Sequence, residues 1–114
     1  MDTTITIVII TRDRCASLLS TLHRLTREVP AIPIIVVDNA SIDETVPTVR
    51  QQFPDVQIMA LQQNIGSAAR NCGVHAAGTP YIAFCDDDSW WHPDAIHRAI
   101  AYFEGYPKVG LIAG

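Results

Sequence analysis

Cysteine, lysine and long apolar runs are all scarce in this 114-residue chain, and each scarcity closes off a class of function. The cysteines, Cys15, Cys72 and Cys85, are odd in number and widely spaced. They form no C-x-x-C and no zinc-ligand spacing, so free, buried thiols are expected rather than a disulfide framework. Lysine occurs once, at Lys108, and the net charge is −4. Without a basic run there is no positive face for a phosphate backbone, which argues against nucleic acid as a partner. No apolar stretch approaches the roughly 18 residues of a membrane-spanning helix. Met1-Asp2-Thr3-Thr4 leads straight into a strand-like run, with no basic segment and cleavage site of the secretory type. The expected location is therefore the cytoplasm, and peripheral attachment to the inner membrane face is compatible with it. Two glycine signatures are missing as well: G-x-G-x-x-G after the first strand and G-x-x-x-x-G-K-[ST] anywhere. A dinucleotide fingerprint and a P-loop are thereby excluded.

What is present reads as one domain over residues 1–114, with 48% hydrophobic and 18% charged residues. Ile5–Ile10 is β-branched throughout and predicts a strand. Cys15, Leu18, Leu19, Leu22, Leu25 and Val29 then recur at helical spacing, and Pro30 and Pro33 stop that helix. Ile34–Val37 is an unbroken apolar run of the kind buried on both faces in a parallel sheet. Ser41-Ile42-Asp43-Glu44 has the S-x-x-E form of a capping box, so a second helix is expected from there to about Phe53. Val56–Leu61 predicts a third strand, Ala68–Ala77 a helix of small residues, and Tyr81–Cys85 a fourth strand. His92-Pro93-Asp94 starts a fourth helix, with Ile96, Ala99, Ile100 and Phe103 on one face. Lys108–Gly114 reads as the start of a fifth strand. Alternating strands and helices predict an α/β fold: an open, mostly parallel twisted sheet with helices on both faces, Rossmann-like, cut off at that fifth strand. An uncovered edge there would favour homo-oligomers.

In such sheets ligands bind outside the carboxyl ends of the strands. The loops at that end are Thr11–Arg14, Asp38–Ser41, Gln62–Gly66 and Asp86–Asp88, and all are polar. The loops at the other end, around Pro30–Pro33, Pro54–Asp55 and Gly78–Pro80, are ordinary turn chemistry. Three adjacent carboxylates at a strand end repel one another unless a cation or solvent separates them. Residues two apart on an extended chain share a face, so Asp86 and Asp88 should point one way and Asp87 the other. Paired carboxylates suit Mg²⁺ or Mn²⁺ shared with substrate phosphates. A solvated turn capping the next helix is the bland alternative for the triplet alone; agreement among four strand ends favours a ligand site. Arg12, Arg14 and Arg70 could each meet a phosphate or form a surface ion pair. Asp38 could accept from a ribose hydroxyl or a base N–H, or serve a helix N-terminus.

These motifs together resemble the N-terminal half of family-2 glycosyltransferases of the GT-A fold. The matching pieces are Thr11-Arg12-Asp13-Arg14, Val36 to Thr45, Asn64-Ile65-Gly66 with Ala69 to Gly73, and Tyr81 to Asp88 with Pro93. Each is weak alone; four in order are specific. The resemblance implies a nucleotide-diphospho-sugar donor site built from Thr11, Arg12, Arg14, Asp38, Asn39, Asn64, Gly66, Arg70, Asp86 and Asp87. It implies that Thr11 and Asp38 hold the base, Asp38 through the N3–H of uracil or thymine, with Arg70 near the base and pyrophosphate. It makes Asp86–Asp88 a DXD motif, with Asp86 and Asp88 on Mn²⁺ or Mg²⁺. The activity implied is metal-dependent, inverting transfer of a sugar from a UDP- or dTDP-sugar to an acceptor hydroxyl, by direct displacement with a carboxylate base. Asp13 stands where the family often has Asn. No residue present is a convincing base, so the base and acceptor site are expected beyond Gly114 and the chain is read as a donor half, inactive alone. The Trp90–Trp91 pair could face that other half.

A non-catalytic nucleotide- or metal-binding module on the same fold is the rival. A receiver domain needs an acid pair after its first strand, and a nucleotidyltransferase needs a Gly-rich basic loop there; Thr11-Arg12 supplies neither.

Overall fold

The computed structural model describes residues 4–106. Four strands, β1 (Ile5–Thr11), β2 (Ile34–Asp38), β3 (Gln57–Ala60) and β4 (Tyr81–Cys85), form one parallel sheet in the order β3-β2-β1-β4. The helices α1 (Cys15–Glu28), α2 (Thr45–Gln52), α3 (Ala69–Ala76) and α4 (Pro93–Gly105) make the crossovers and follow β4. A 3-10 turn over Gly66–Ala68 leads into α3. This is the open α/β architecture expected from the alternation of strand and helix patterns.

The β-branched run of β1 takes the centre because it is buried on both faces. Ile5, Ile7 and Ile9 meet Leu18, Leu22 and Leu25 of α1, Val49 of α2 and Ile96 of α4 on one face. Val8, with Ile35 and Val37 of β2, packs against Ala69 and Cys72 of α3 on the other. Full burial of each large aliphatic side chain contributes about 1.5–3 kcal/mol, so the thicker first layer dominates stability. α3 lies close to the sheet because Gly73 has no side chain: a Cβ there would run into one methyl of Val8 and press on Val37 at 3.3 Å. The small-residue character of this helix is thus a packing requirement.

α1 ends where expected, with the Val29 N–H bonded to Leu25 O ahead of Pro30. Three details differ from the sequence reading. β3 is two residues shorter, because as an edge strand it is only half covered. The capping box does not form: α2 starts at Thr45 and Glu44 makes no side-chain cap. Asp43 accepts from the Thr45 N–H and hydroxyl instead, while Ser41 is turned toward Asp38. Thr45 thereby holds the Asp43 carboxyl below the usual carboxylate range. The tryptophans also turn back onto their own domain. Trp91 donates to Phe84 O at 2.9 Å and packs on the core, and the Arg24 guanidinium sits 4.4 Å from the Trp90 ring centre. The fifth strand expected over Lys108–Gly114 lies outside the described residues. Among the described residues no helix is long and apolar enough to cross a membrane.

Candidate functional site

Parallel pairing brings the carboxyl ends of β1, β2 and β4 to one edge, with Thr11 directly opposite Asp38. The turn before α3 closes the group. A cavity of about 510 Å³ opens there, walled by Arg12, Arg14 and Arg70 and by all three acids of the triplet. Every site residue expected from the sequence lines it except Asp38 and Asn64. Ile10 and Ser67 line it too, with no motif to mark them.

The triplet divides in the expected pattern, although it lies beyond β4 in a turn closed by the Ser89 N–H on Asp86 O rather than in extended strand. Asp86 and Asp88 are exposed, with side chains 71% and 56% accessible, whereas Asp87 is buried. Asp87 accepts from the Thr11 hydroxyl at 2.9 Å and faces Arg14 Nε at 3.4 Å. Its main-chain carbonyl accepts from Thr21 of α1 at 2.8 Å. Each outer acid has its own arginine: Arg70 lies 3.7 Å from Asp86, and Arg14 Nη2 lies 3.3 Å from Asp88. Repulsion within the triplet is relieved by separation and by three distinct partners. Just upstream, burial pushes the Cys85 thiol up to about 12, and the Asp86 charge adds to the effect.

The loops after β1 and β2 are stitched together by side chains. Asp38 is buried at the end of β2, and both its oxygens accept from Ser41, one from the N–H and one from the hydroxyl. The Asp13 N–H donates to Ser41 Oγ at 2.8 Å. Asp13 Oδ1 in turn accepts from the N–H groups of Ile42 and Asp43. Asp13 and Ala40 both take positive φ, 52° and 62°. Sequence reading missed Asp13 and Ser41 as the link between the two loops. Short polar residues beside strand ends, able to bond backbone in left-handed turns, were the available signal.

Asn39 carries the stitching on to the third loop. Its amide donates to Gly66 O at 2.9 Å and accepts from the Ile65 N–H at 3.0 Å. Gly66 sits at φ 61° and donates its own N–H to Asn64 Oδ1, so Asn64 supports the turn without facing the cavity. A left-handed turn of this kind is where glycine avoids a steric cost. Arg70, one turn further along, also lies over the Phe84 ring at 5.9 Å. His92 acts as the N-cap of α4, its Nδ1 accepting from the Asp94 N–H. Among the described residues no group of three or more His, Cys, Asp or Glu side chains converges as a metal cage.

Comparison with known proteins agrees with this geometry. The family model described as Glycosyl transferase family 2 matches residues 6–114, and the chain belongs to that family. The chain is 35% identical over 98 residues to the uncharacterised glycosyltransferase YwdF of Bacillus subtilis, covering 82% of this chain and 36% of the relative. It is 38% identical over 79 residues to the succinoglycan biosynthesis protein ExoO of Rhizobium meliloti, covering 67% of this chain and 22% of the relative. The chain thus spans about a third or less of the curated relatives it matches first. Among solved structures, the mannosyltransferase PcManGT of Pyrobaculum calidifontis, in complex with GDP-Man and Mn²⁺, superposes with a TM-score of 0.77 at 23% identity, over 93% of this chain and 33% of that one. TarS residues 1–349 of S. aureus, in complex with UDP-GlcNAc, also reaches 0.77, at 17% identity, over 96% of this chain and 37% of that one. At these identities the two structures establish the shared GT-A fold.

Proposed function

We propose that this chain forms the donor side of an inverting, metal-dependent glycosyltransferase that takes a sugar from a nucleotide diphosphate. The observation that carries this reading is the pairing of Arg14 and Arg70 with the two outward carboxylates around one cavity at the strand ends, which Arg12 also lines. Arginines suit the diphosphate oxygens, and carboxylates suit the cation that accompanies them. Asp38 and Asn39 sit at the end of β2, where a base would lie. Asp38 is buried behind the cavity wall, so its part would be to hold the loop through Ser41, while Asn39 lines the cavity at that point.

The acidic residues fit a divalent ion of the Mg²⁺ or Mn²⁺ type. Such an ion needs only one or two protein carboxylates when phosphates and water complete its shell, so the lack of a larger cage among the described residues is compatible with it. Asp88, with Asp86, would hold it, and when bound it would neutralise the charge of the diphosphate leaving group. The chain's own residues bind and orient the donor: arginines draw in the phosphates, and the Asp38–Ser41–Asp13 and Asn39–Gly66 bonds hold the loops in place beforehand. Asp94 and Glu104, the acids of α4, are exposed, so we place the base and the acceptor site outside this chain.

Calorimetric titration of the chain with UDP, with and without Mn²⁺, tests the reading. The expected result is Mn²⁺-dependent binding, weakened by Asp38→Ala even without metal. No binding by a folded wild-type chain would overturn it.

A further inference from the structure

We infer that Asp87, the middle acid of the triplet, is a positioning residue that aims the outer acids and Arg14, and that it does not touch the donor itself. The inference rests on the donor-site reading above. Asp87 reaches the cavity wall, but its side chain is only 8% exposed, against 71% and 56% for those of Asp86 and Asp88. A carboxylate taken out of water is costly unless its partners are fixed and well placed. Here each oxygen has one: Thr11 Oγ1 donates to Oδ2 at 2.9 Å, and Arg14 Nε lies 3.4 Å from Oδ1. The main chain is held as well, by the Thr21 hydroxyl on the Asp87 carbonyl at 2.8 Å.

These contacts reach three different segments: the end of β1, the loop before α1, and α1 itself. Asp87 therefore locks the acidic loop onto β1 and α1. With Asp87 turned inward, the turn that follows β4, closed by the Ser89 N–H on Asp86 O, leaves Asp86 and Asp88 exposed on either side of it. The same carboxylate orients Arg14, whose Nη2 comes within 3.3 Å of Asp88 while Nε stays on Asp87. Arg14 thus stands between the buried acid and the outer one, where it can meet a phosphate brought in beside the ion. Groups that orient metal-ligating carboxylates act on affinity without joining the coordination shell. The Thr11 hydroxyl, committed to Asp87, belongs to this scaffold.

The test is UDP affinity of Asp87→Asn, Asp87→Ala and Thr21→Val, measured by calorimetry with Mn²⁺ and again in EDTA. Thr21→Val is isosteric and lies away from the cavity. Asp87→Ala should weaken Mn²⁺-supported binding by about 10- to 100-fold and metal-free binding by less than about threefold. Asp87→Asn keeps an acceptor for Thr11 but not the charge for Arg14, and should fall between wild type and alanine. Thr21→Val should shift the same metal-supported term by a smaller factor. Equal losses with and without Mn²⁺ would mean that Asp87 contacts the nucleotide directly and would overturn the inference. So would unchanged affinity in variants whose melting shows them folded. If Asp87→Ala does not fold, the Asn and Thr21 variants decide the matter. If wild type binds no UDP, the donor-site reading falls by itself. Mn²⁺ alone, followed by its EPR signal, would then still have to bind more weakly to Asp87→Asn for the Asp87 role to stand.

Discussion

The two ends of the sheet are built from different chemistry. At the amino ends of the strands the chain turns on backbone bonds such as Ile32 N–H to Val29 O and Val56 N–H to Phe53 O. A long-range side-chain bond there joins Thr6 to Thr79 at 2.7 Å. At the carboxyl ends, polar side chains do the joining: buried Asp38, Asn39 and Asp87, with half-buried Ser41 and exposed Asp13, tie four loops to one another. All three positive-φ residues among those described, Asp13, Ala40 and Gly66, are at this end as well. One end is a set of independent turns that a few local bonds suffice to close. The other is a network in which strain and buried charge are tolerated because every member is held by several partners. Such concentration of buried polar groups around a cavity marks a site rather than a way of closing loops.

This contrast can be broken from either side. The largest effect is expected from Asp88→Ala at the carboxyl end. The side chain is exposed, so melting should hardly move. Mn²⁺-supported UDP affinity should fall on the order of 100-fold, about 2.7 kcal/mol, measured by calorimetry. Gly73→Ala tests the scaffold between the two ends. The added methyl meets Val8 in the central strand, so overpacking should cost about 1–3 kcal/mol, partly offset by better helix propensity. Urea denaturation reads that loss. Thr79→Val acts at the amino end. It leaves the buried Thr6 hydroxyl without its partner and should cost about 1 kcal/mol of stability, with UDP affinity unchanged. An affinity change there would blur the distinction between the ends.

The smallest effect runs the other way. Ala40 holds φ 62°, a conformation that glycine adopts without a steric cost. Ala40→Gly should therefore stabilise by about 0.5–1 kcal/mol once the greater unfolded-state freedom of glycine is counted. Cys85 gives a pH check on the core beneath the triplet. Its folded thiol ionises near 12, above the unfolded value near 9, so the folded state retains the proton longer. Stability should hold below pH 9 and decline as pH rises from there toward 12. Cys85→Ala should remove that part of the decline in alkaline melting curves.

The strands, the helices and their order were legible because their patterns are long and repeat: the β-branched run of β1 and the heptad-like leucines of α1 have one good interpretation each. The polar strand ends were legible too, since nothing in a parallel sheet calls for Asp86-Asp87-Asp88 as packing. The capping box does not form because the Ser41 hydroxyl is engaged elsewhere: it donates to Asp38, three residues upstream, and accepts from the Asp13 N–H of the neighbouring loop. An aromatic pair in a loop does not say which surface it covers: Trp91 bonds the Phe84 carbonyl and packs on the core, while Trp90, beside Arg24, stays 45% exposed.

The sequence by itself determined the fold class and the end of the sheet where the site would lie, since these follow from periodicity and from residue types at strand ends; the family followed from the resemblance of its four ordered motifs. Only the tertiary structure decided how the acids are divided. That Asp87 faces Thr11 and Arg14 depends on residues 76 positions apart meeting across β1 and β4. That Asp38 is held by Ser41 and Asp13 depends on two loops whose separation in the chain hides their contact. Chain order sets which groups exist; the closeness of parallel strand ends sets which of them share a charge, a proton donor or a cavity.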